Sequence, residues 1–179
     1  ISPANYKTLD IQKGVTFATT GGFVSDVTSA TVFEKIKANG AVSISTSASL
    51  TVTAFGGFVP AASDTFTILD NTSASTTTGN FTGKPEGTLV AIGGVNKVLS
   101  YSGGTGNDVV LGPLVPEIAV SGNGVEITNG SSTPSLANHT DFGAADLSGG
   151  TVVRTFTITN SGSGALDLTG VAPDLVTLT

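Results

Sequence analysis

Tyr101-Ser102-Gly103-Gly104-Thr105-Gly106-Asn107-Asp108-Val109-Val110-Leu111 is the stretch whose reading decides the fold. It holds the end of one alternating run, a glycine-bounded turn and a second run of branched residues. Asp108 is the one carboxylate among them. Branched Cβ atoms favour the extended backbone and glycine pairs reverse it. The stretch predicts a strand, a tight turn and a strand, ending a longer β-region that starts near Ile68.

Working upstream, residues 41–54 alternate without a break. Val42, Ile44, Thr46, Ala48, Leu50, Val52 and Ala54 share one parity, while Ser43, Ser45, Ser47, Ser49, Thr51 and Thr53 share the other. Period-two alternation puts one face in a core and a hydroxyl-covered face in water. At about 3.3 Å per residue the run is too long for one strand of a small domain, which predicts a corner near Ser47. Leu9, Ile11, Val15 and Phe17 alternate around Lys13-Gly14. Strands are also expected at 65–69, with Phe66 and Ile68 inward, and at 89–92, 97–101 and 108–111. Residues 32–39 carry helix-like charge spacing, but Asn39-Gly40 marks a tight turn and a strand is expected there too.

Composition agrees. Ser and Thr make up about a quarter of the 179 residues, Gly numbers 24, and charged residues are 11%, against about 25% in an average domain. Cys is absent, which excludes disulfides and thiolate metal sites. A net charge of -6 repels nucleic acid. No uncharged apolar run reaches the roughly 18 residues of a membrane helix, so no membrane insertion is expected.

Pro113-Leu114-Val115-Pro116 reads as a stiff linker, because two prolines fix φ and remove two donors. Beyond it, short runs at 118–120, 125–127, 151–159, 165–169 and 176–178 are divided by Asn-Gly, Gly-Gly and Ser-Gly pairs, the rhythm of an antiparallel sandwich. The expected fold is all-β: a short parallel β-solenoid followed by an incomplete immunoglobulin-like β-sandwich. Residues 1–30 are an N-terminal strand segment, 31–112 the terminal solenoid coils, 113–116 the linker and 117–179 the partial sandwich.

Two resemblances bear on function. Phe33-Glu34-Lys35-Ile36-Lys37-Ala38-Asn39-Gly40-Ala41-Val42-Ser43-Ile44, with 64–69, 79–87 and 101–111, resembles the last coils of bacterial autotransporter-type passenger β-helices. Lys84 stands where that family usually has a small apolar residue. Pro116-Glu117-Ile118-Ala119-Val120, with Asp141-Phe142-Gly143 and Arg154-Thr155-Phe156-Thr157-Ile158-Thr159-Asn160-Ser161-Gly162, is similar to immunoglobulin-like modules of the choice-of-anchor D kind. Together they imply a secreted or cell-surface protein with a structural or adhesive role and no enzymatic activity.

Residues 103–111 fit the calcium nonapeptide G-G-x-G-x-D-x-U-x, making Asp108 a metal candidate. One copy cannot supply the six to eight oxygens calcium takes, so Asp108 is read as bonding backbone amides in the bend. The single histidine, His139, reads as an exposed loop residue, and no Gly-x-Ser-x-Gly elbow accompanies it. Glu34, Asp64, Asp70 and Glu86 fall in different turns and read as a solvated rim. Asn71, Asn80, Asn129 and Asn138 begin Asn-x-Ser/Thr triplets in expected loops, the acceptor pattern for glycans. No cofactor is expected.

A sandwich without all its strands leaves Phe156, Ile158, Leu166 and Leu168 without a facing sheet. An open apolar face with free strand edges associates unless a partner covers it. The expected function is therefore a structural protein that builds an extracellular fibre or layer with copies of itself by strand complementation. The donor would be the segment carrying Leu9, Ile11, Val15 and Phe17. The alternative is an adhesin fragment binding surface glycans or a host or neighbouring cell surface. A third reading is a solenoid enzyme acting on polysaccharide.

Overall fold

The computed structural model describes residues 8–145 and 147–168. The fold is all-β, with no helix among the described residues. The chain divides into two compact units, Ile1–Leu114 and Val115–Thr179.

The first unit holds β1 (Thr8–Ile11), β2 (Val15–Phe17), β3 (Gly22–Val27), β4 (Lys35–Ala38), β5 (Val42–Ile44), β6 (Ser49–Ala54), β7 (Phe66–Asn71), β8 (Leu89–Ile92), β9 (Val95–Gly103) and β10 (Asp108–Gly112). The first seven strands make successive circuits of the chain. β1 pairs in parallel with β4, β2 with β5 and β3 with β6. Thr8 lies beside Lys35, Val15 beside Val42 and Gly22 beside Ser49, so in all three places the partner comes 27 residues later. A constant return stacks like positions: Gln12 Oε1 accepts from Asn39 Nδ2 at 2.9 Å, and the Thr72 hydroxyl donates to Asn39 Oδ1. The next circuit is longer by six residues, since Ile36 pairs with Leu69; the additional length lies in the connector between β6 and β7 and in Phe66-Thr67 at the start of β7.

The alternation of 41–54 is realised as two strands. Val42, Ile44, Ala48 and Leu50 are buried, and the odd-numbered Ser43, Ser47, Ser49, Thr51 and Thr53 are exposed. The break comes at Ser45–Ala48, closed by a hydrogen bond from Ala48 N to Ser45 O. Thr46, at this corner, is exposed against its parity. One aromatic row runs through the core. Phe17 stands 6.3 Å from Phe23 and 5.3 Å from Phe81, and Phe81 stands 6.3 Å from Tyr101, centroid to centroid.

Two expectations need correction here. The segment within 1–30 is not a free donor strand: β1, β2 and β3 are the first circuit of the same stack, and Phe17 is buried in the common core. Nor does the parallel arrangement continue to Leu111. The six-stranded sheet runs β1-β4-β7-β10-β9-β8, and its last four strands are joined antiparallel. The reason is connector length. Gly93-Gly94 links β8 to β9 and residues 104–107 link β9 to β10, whereas a parallel crossover needs about a dozen residues or more.

The second unit holds β11 (Ile118–Gly122), β12 (Val125–Glu126) and β13 (Phe156–Asn160), an antiparallel sheet in the order β12-β11-β13. Asn123 (φ 52°) and Gly124 (φ 71°) both adopt the left-handed conformation required of a two-residue hairpin turn. Of the strands expected at 151–159 and 165–169, the first is confined to β13 and residues 165–168 are not a strand. The strand expected at 176–178 lies outside the described residues.

Leu50 is 6% exposed and Thr51 faces solvent on the same strand. Leu50→Ala should therefore lower unfolding free energy by about 2–5 kcal/mol, while Thr51→Ala should stay within about 0.5 kcal/mol. Urea denaturation of the two variants checks this, and equal costs would refute the assigned faces.

Candidate functional site

The densest polar cluster lies where β10 meets the end of β7. Asp108 is buried, and its Oδ1 accepts from the Asn71 backbone N–H at 2.8 Å. Its Oδ2 accepts from the Thr105 N–H at 3.0 Å and lies 3.2 Å from the Thr105 hydroxyl. Gly104 (φ 56°) passes so close to this carboxylate that a Cβ there would collide with Oδ2. Asn107 Nδ2 donates to the carbonyls of Ser73 (2.6 Å) and Ser75 (3.0 Å), and Thr77 Oγ1 donates to Asn107 O at 2.5 Å. Asp108 holds the Thr105 amide in the bend and, beyond it, the Asn71 amide at the end of β7.

Beside this cluster lies an open groove of about 530 Å³, with Asp70, Asn71, Thr72, Ser73, Thr105 and Asn107 among its lining residues. Its walls carry the Asp70 carboxylate, side-chain amides and hydroxyls, with Ala74 and the threonine methyl groups between them. Among the described residues no three His, Cys, Asp or Glu side chains gather as a metal-holding group.

Two further polar anchors escaped sequence reading. Lys97 is fully buried in β9, and its Nζ donates to the carbonyls of Ala61 (2.7 Å), Ala62 (2.9 Å) and Asp64 (2.8 Å) while standing 5.9 Å from the Phe66 ring centroid. Burial lowers its pKa from the ordinary lysine value, and the Asp64 charge works in the opposite direction. Tyr101 is the second anchor: its hydroxyl donates to Lys84 O at 2.7 Å and accepts from Phe81 N–H at 3.0 Å. Its pKa is raised, chiefly by burial; the bond from Phe81 opposes the rise and the Glu86 charge adds to it. The signal for Lys97 was its parity, shared with Leu99 and Tyr101.

The carboxylates read as a solvated rim do more than face water. Glu86 Oε2 accepts from Tyr101 N–H at 2.7 Å, Asp64 Oδ2 from Ala61 N–H at 2.9 Å and Glu34 Oε2 from Asp26 N–H at 3.5 Å. Asp70 lines the groove. Asp64 fastens its own turn, while Glu34 and Glu86 tie their loops to β3 and β9.

The remaining candidates scatter. Asn71 is corrected as a glycan acceptor: it ends β7 rather than sitting in a loop, is 1% exposed, and its Nδ2 donates to Ser75 O and Thr77 Oγ1. Asn80 and Asn129 are exposed, and Asn138 is half-buried with Oδ1 accepting from Thr140. His139 is half-buried rather than exposed. Of the assembly residues in the first unit, Leu9 is exposed and Ile11, Val15 and Phe17 pack in or against the core. In the second unit Phe156 and Ile158 are 36% and 40% exposed on β13, Leu168 is 40% exposed and Leu166 is half-buried. No family model, curated protein or solved structure matches the chain.

Two outcomes are expected. Asp108→Ala strands buried amides and should cost about 2–3 kcal/mol, whereas chelator added to the wild-type chain should leave Tm unchanged; a fall of several degrees with chelator would make Asp108 a ligand. The second concerns pH. The unfolded chain binds the Lys97 proton more tightly than the folded chain, so stability should rise with pH between the lowered folded value and the ordinary lysine value near 10.5. Tyr101 acts oppositely: the folded chain holds its proton longer, so stability falls as pH passes the ordinary tyrosine value of 10.0. Lys97→Met should abolish the rise and keep the fall in a series of urea titrations across alkaline pH; an unchanged rise would clear Lys97 of the effect.

Proposed function

We propose that the chain is a structural segment of a secreted or cell-surface protein. In this reading the first unit is a short β-solenoid closed at one end by antiparallel strands. The second is a partial immunoglobulin-like module, and copies associate into an extracellular fibre or layer. The observation that carries it is the constant 27-residue return of β1, β2 and β3. It brings three parallel strands to one end of the stack, each with its outer edge free of any strand among the described residues apart from the Val27–Phe33 bridge. Free edges of this kind are templates for another chain. The buried polar groups of this unit support a scaffold too: Ser25, Asn71, Lys97, Asn107 and Asp108 all bond backbone.

The association surface differs from a donated N-terminal strand, because that segment is core. A second reading, a binding module for surface glycans, is favoured by the groove beside Asn71 and Asn107, whose hydroxyls and amides suit sugar hydroxyls. Binding to immobilised glycans by a chain that stays monomeric would favour it over the scaffold.

The test uses β2. Val15 N–H donates to Ala41 O and Phe17 O accepts from Ser45 N–H, so ladder alternation turns the Thr16 N–H away from β5. Thr16→Pro removes an outward donor and leaves the internal ladder whole. Sedimentation of the wild-type chain should show association rising with concentration, and Thr16→Pro should weaken it about tenfold at unchanged Tm. A wild-type chain that stays monomeric at millimolar concentration defeats the scaffold reading.

A further inference from the structure

Among the described residues, β11 is covered along half of one of its two edges. On one side β13 pairs with all of it, from Ile118 opposite Asn160 to Gly122 opposite Phe156. On the other, β12 pairs with Ser121 and Gly122, and the ladder ends at the bond from Ile127 N–H to Val120 O at 2.8 Å. The chain then turns away, with Ser131 N–H bonding Thr128 O. What remains is a groove of about 810 Å³ between residues 116–120 and 126–131. Backbone direction fixes what points into it. Glu117 O accepts from Ser161 N–H on the β13 side, so strand alternation sends the N–H and C=O of Ile118 the opposite way, into the groove.

The two faces at this edge differ in chemistry. Residues directly opposite share a face, so Ile118, Val120, Ile158 and Phe156 share one face with Gly122 and with Asn160, which stands opposite Ile118; Ile118, Ile158 and Phe156 are 52%, 40% and 36% exposed. Ala119, Ser121, Thr157 and Thr159 form the other, joined by Glu126 opposite Ser121 and, by alternation, Glu117. Both glutamates are exposed and both line the groove.

We propose that this half-open edge captures an extended peptide strand that is apolar at one alternate set of positions and basic at the other. The strand would bond the Ile118 backbone, lay its apolar residues along Ile118 and Val120, and set Lys or Arg against Glu117 and Glu126. Strand addition of this kind takes affinity from main-chain bonds and selectivity from alternate side chains. The occupant is a segment of another protein: Lys35–Ala38, the segment of this chain with that pattern, is the interior strand β4. The inference goes beyond the scaffold reading and uses a different surface.

The test titrates the full chain with two labelled peptides of equal composition. In one, Lys and Val alternate; in the other, they are grouped in blocks and cannot sort between the faces. The alternating peptide should bind at least about tenfold more tightly and should slow hydrogen exchange at the Ile118 amide. Glu117→Gln with Glu126→Gln should weaken binding about threefold to tenfold, and Ile118→Pro, which takes no bond from β13, should abolish it. Equal binding of the two peptides, no binding at millimolar peptide, or an Ile118 amide exchanging unchanged under saturation would overturn the proposal. Because the exchange measurement needs no substitution, a misfolded proline variant would not rescue it. Failure of self-association would leave these outcomes untouched, as would the Thr16→Pro substitution.

Discussion

The bond from the Asn71 amide to the Asp108 carboxylate joins two incompatible ways of building a sheet. Up to β7 each strand is laid beside the one that preceded it by a circuit. From β8 onward the chain reverses in short turns and pairs antiparallel. β10 is the strand that must fit both, and its register slips between Val109 and Val110 on the β7 side. The pairing ends at Val109 opposite Leu69, so the Asn71 amide beyond it has no ladder carbonyl, and a buried amide without a partner costs as much as a lost hydrogen bond. Asp108 supplies the missing acceptor with one oxygen and fastens the Thr105 turn with the other. Glycine at 104 leaves the carboxylate room to do so.

The same logic recurs where the second circuit is longer than the first. The longer connector between β6 and β7 carries the carbonyls of Ala61, Ala62 and Asp64, which lie outside any strand. Lys97 meets all three with one ammonium group. Burying a cation is costly, and the cost is tolerable because its donors are matched by carbonyls and Phe66 lies beneath it. Tyr101 and Glu86 treat residues 79–87 in the same way, one through its hydroxyl and the other through its carboxylate. Several of the scarce charges in this chain therefore serve backbone.

How much of this could be read beforehand depends on the distance over which each feature is encoded. The faces of 42–54 are a local matter of parity, and the alternation of Ser and Thr with Val, Ile and Leu exposes it. Lys97 also shared parity with Leu99 and Tyr101; a charged residue on a buried parity is a legible sign, but its carbonyl partners lie over thirty positions away and the sequence does not pair them. Asn71 was misplaced because a run of Ser and Thr follows it, and such runs look like loops even when their first residue ends a strand. The share of β1 to β3 in the core was hidden for a related reason. Leu9 is 57% exposed, the alternation there is short, and the 27-residue return shows itself once the strands are stacked. The direction of β8 to β10, by contrast, was available locally, since two-residue turns cannot join parallel strands.

The two units manage their edges differently, and turn chemistry explains the contrast. In the first, β10 covers β7 because the chain after Tyr101 reverses at once and runs back along the sheet. In the second, the Asn123-Gly124 turn likewise reverses the chain at once, but β12 lasts two residues before Thr128-Asn129-Gly130 bends it away. A longer β12 would have hidden Ile118 from a second chain. The groove at residues 116–120 exists because that hairpin ends early. Its apolar and acidic sides are fixed by the pairing of β11 with β13, which extends the whole length of the strand. Any strand that enters must therefore satisfy a sheet whose two faces are already assigned, and that constraint, rather than the depth of the groove, would select its partner.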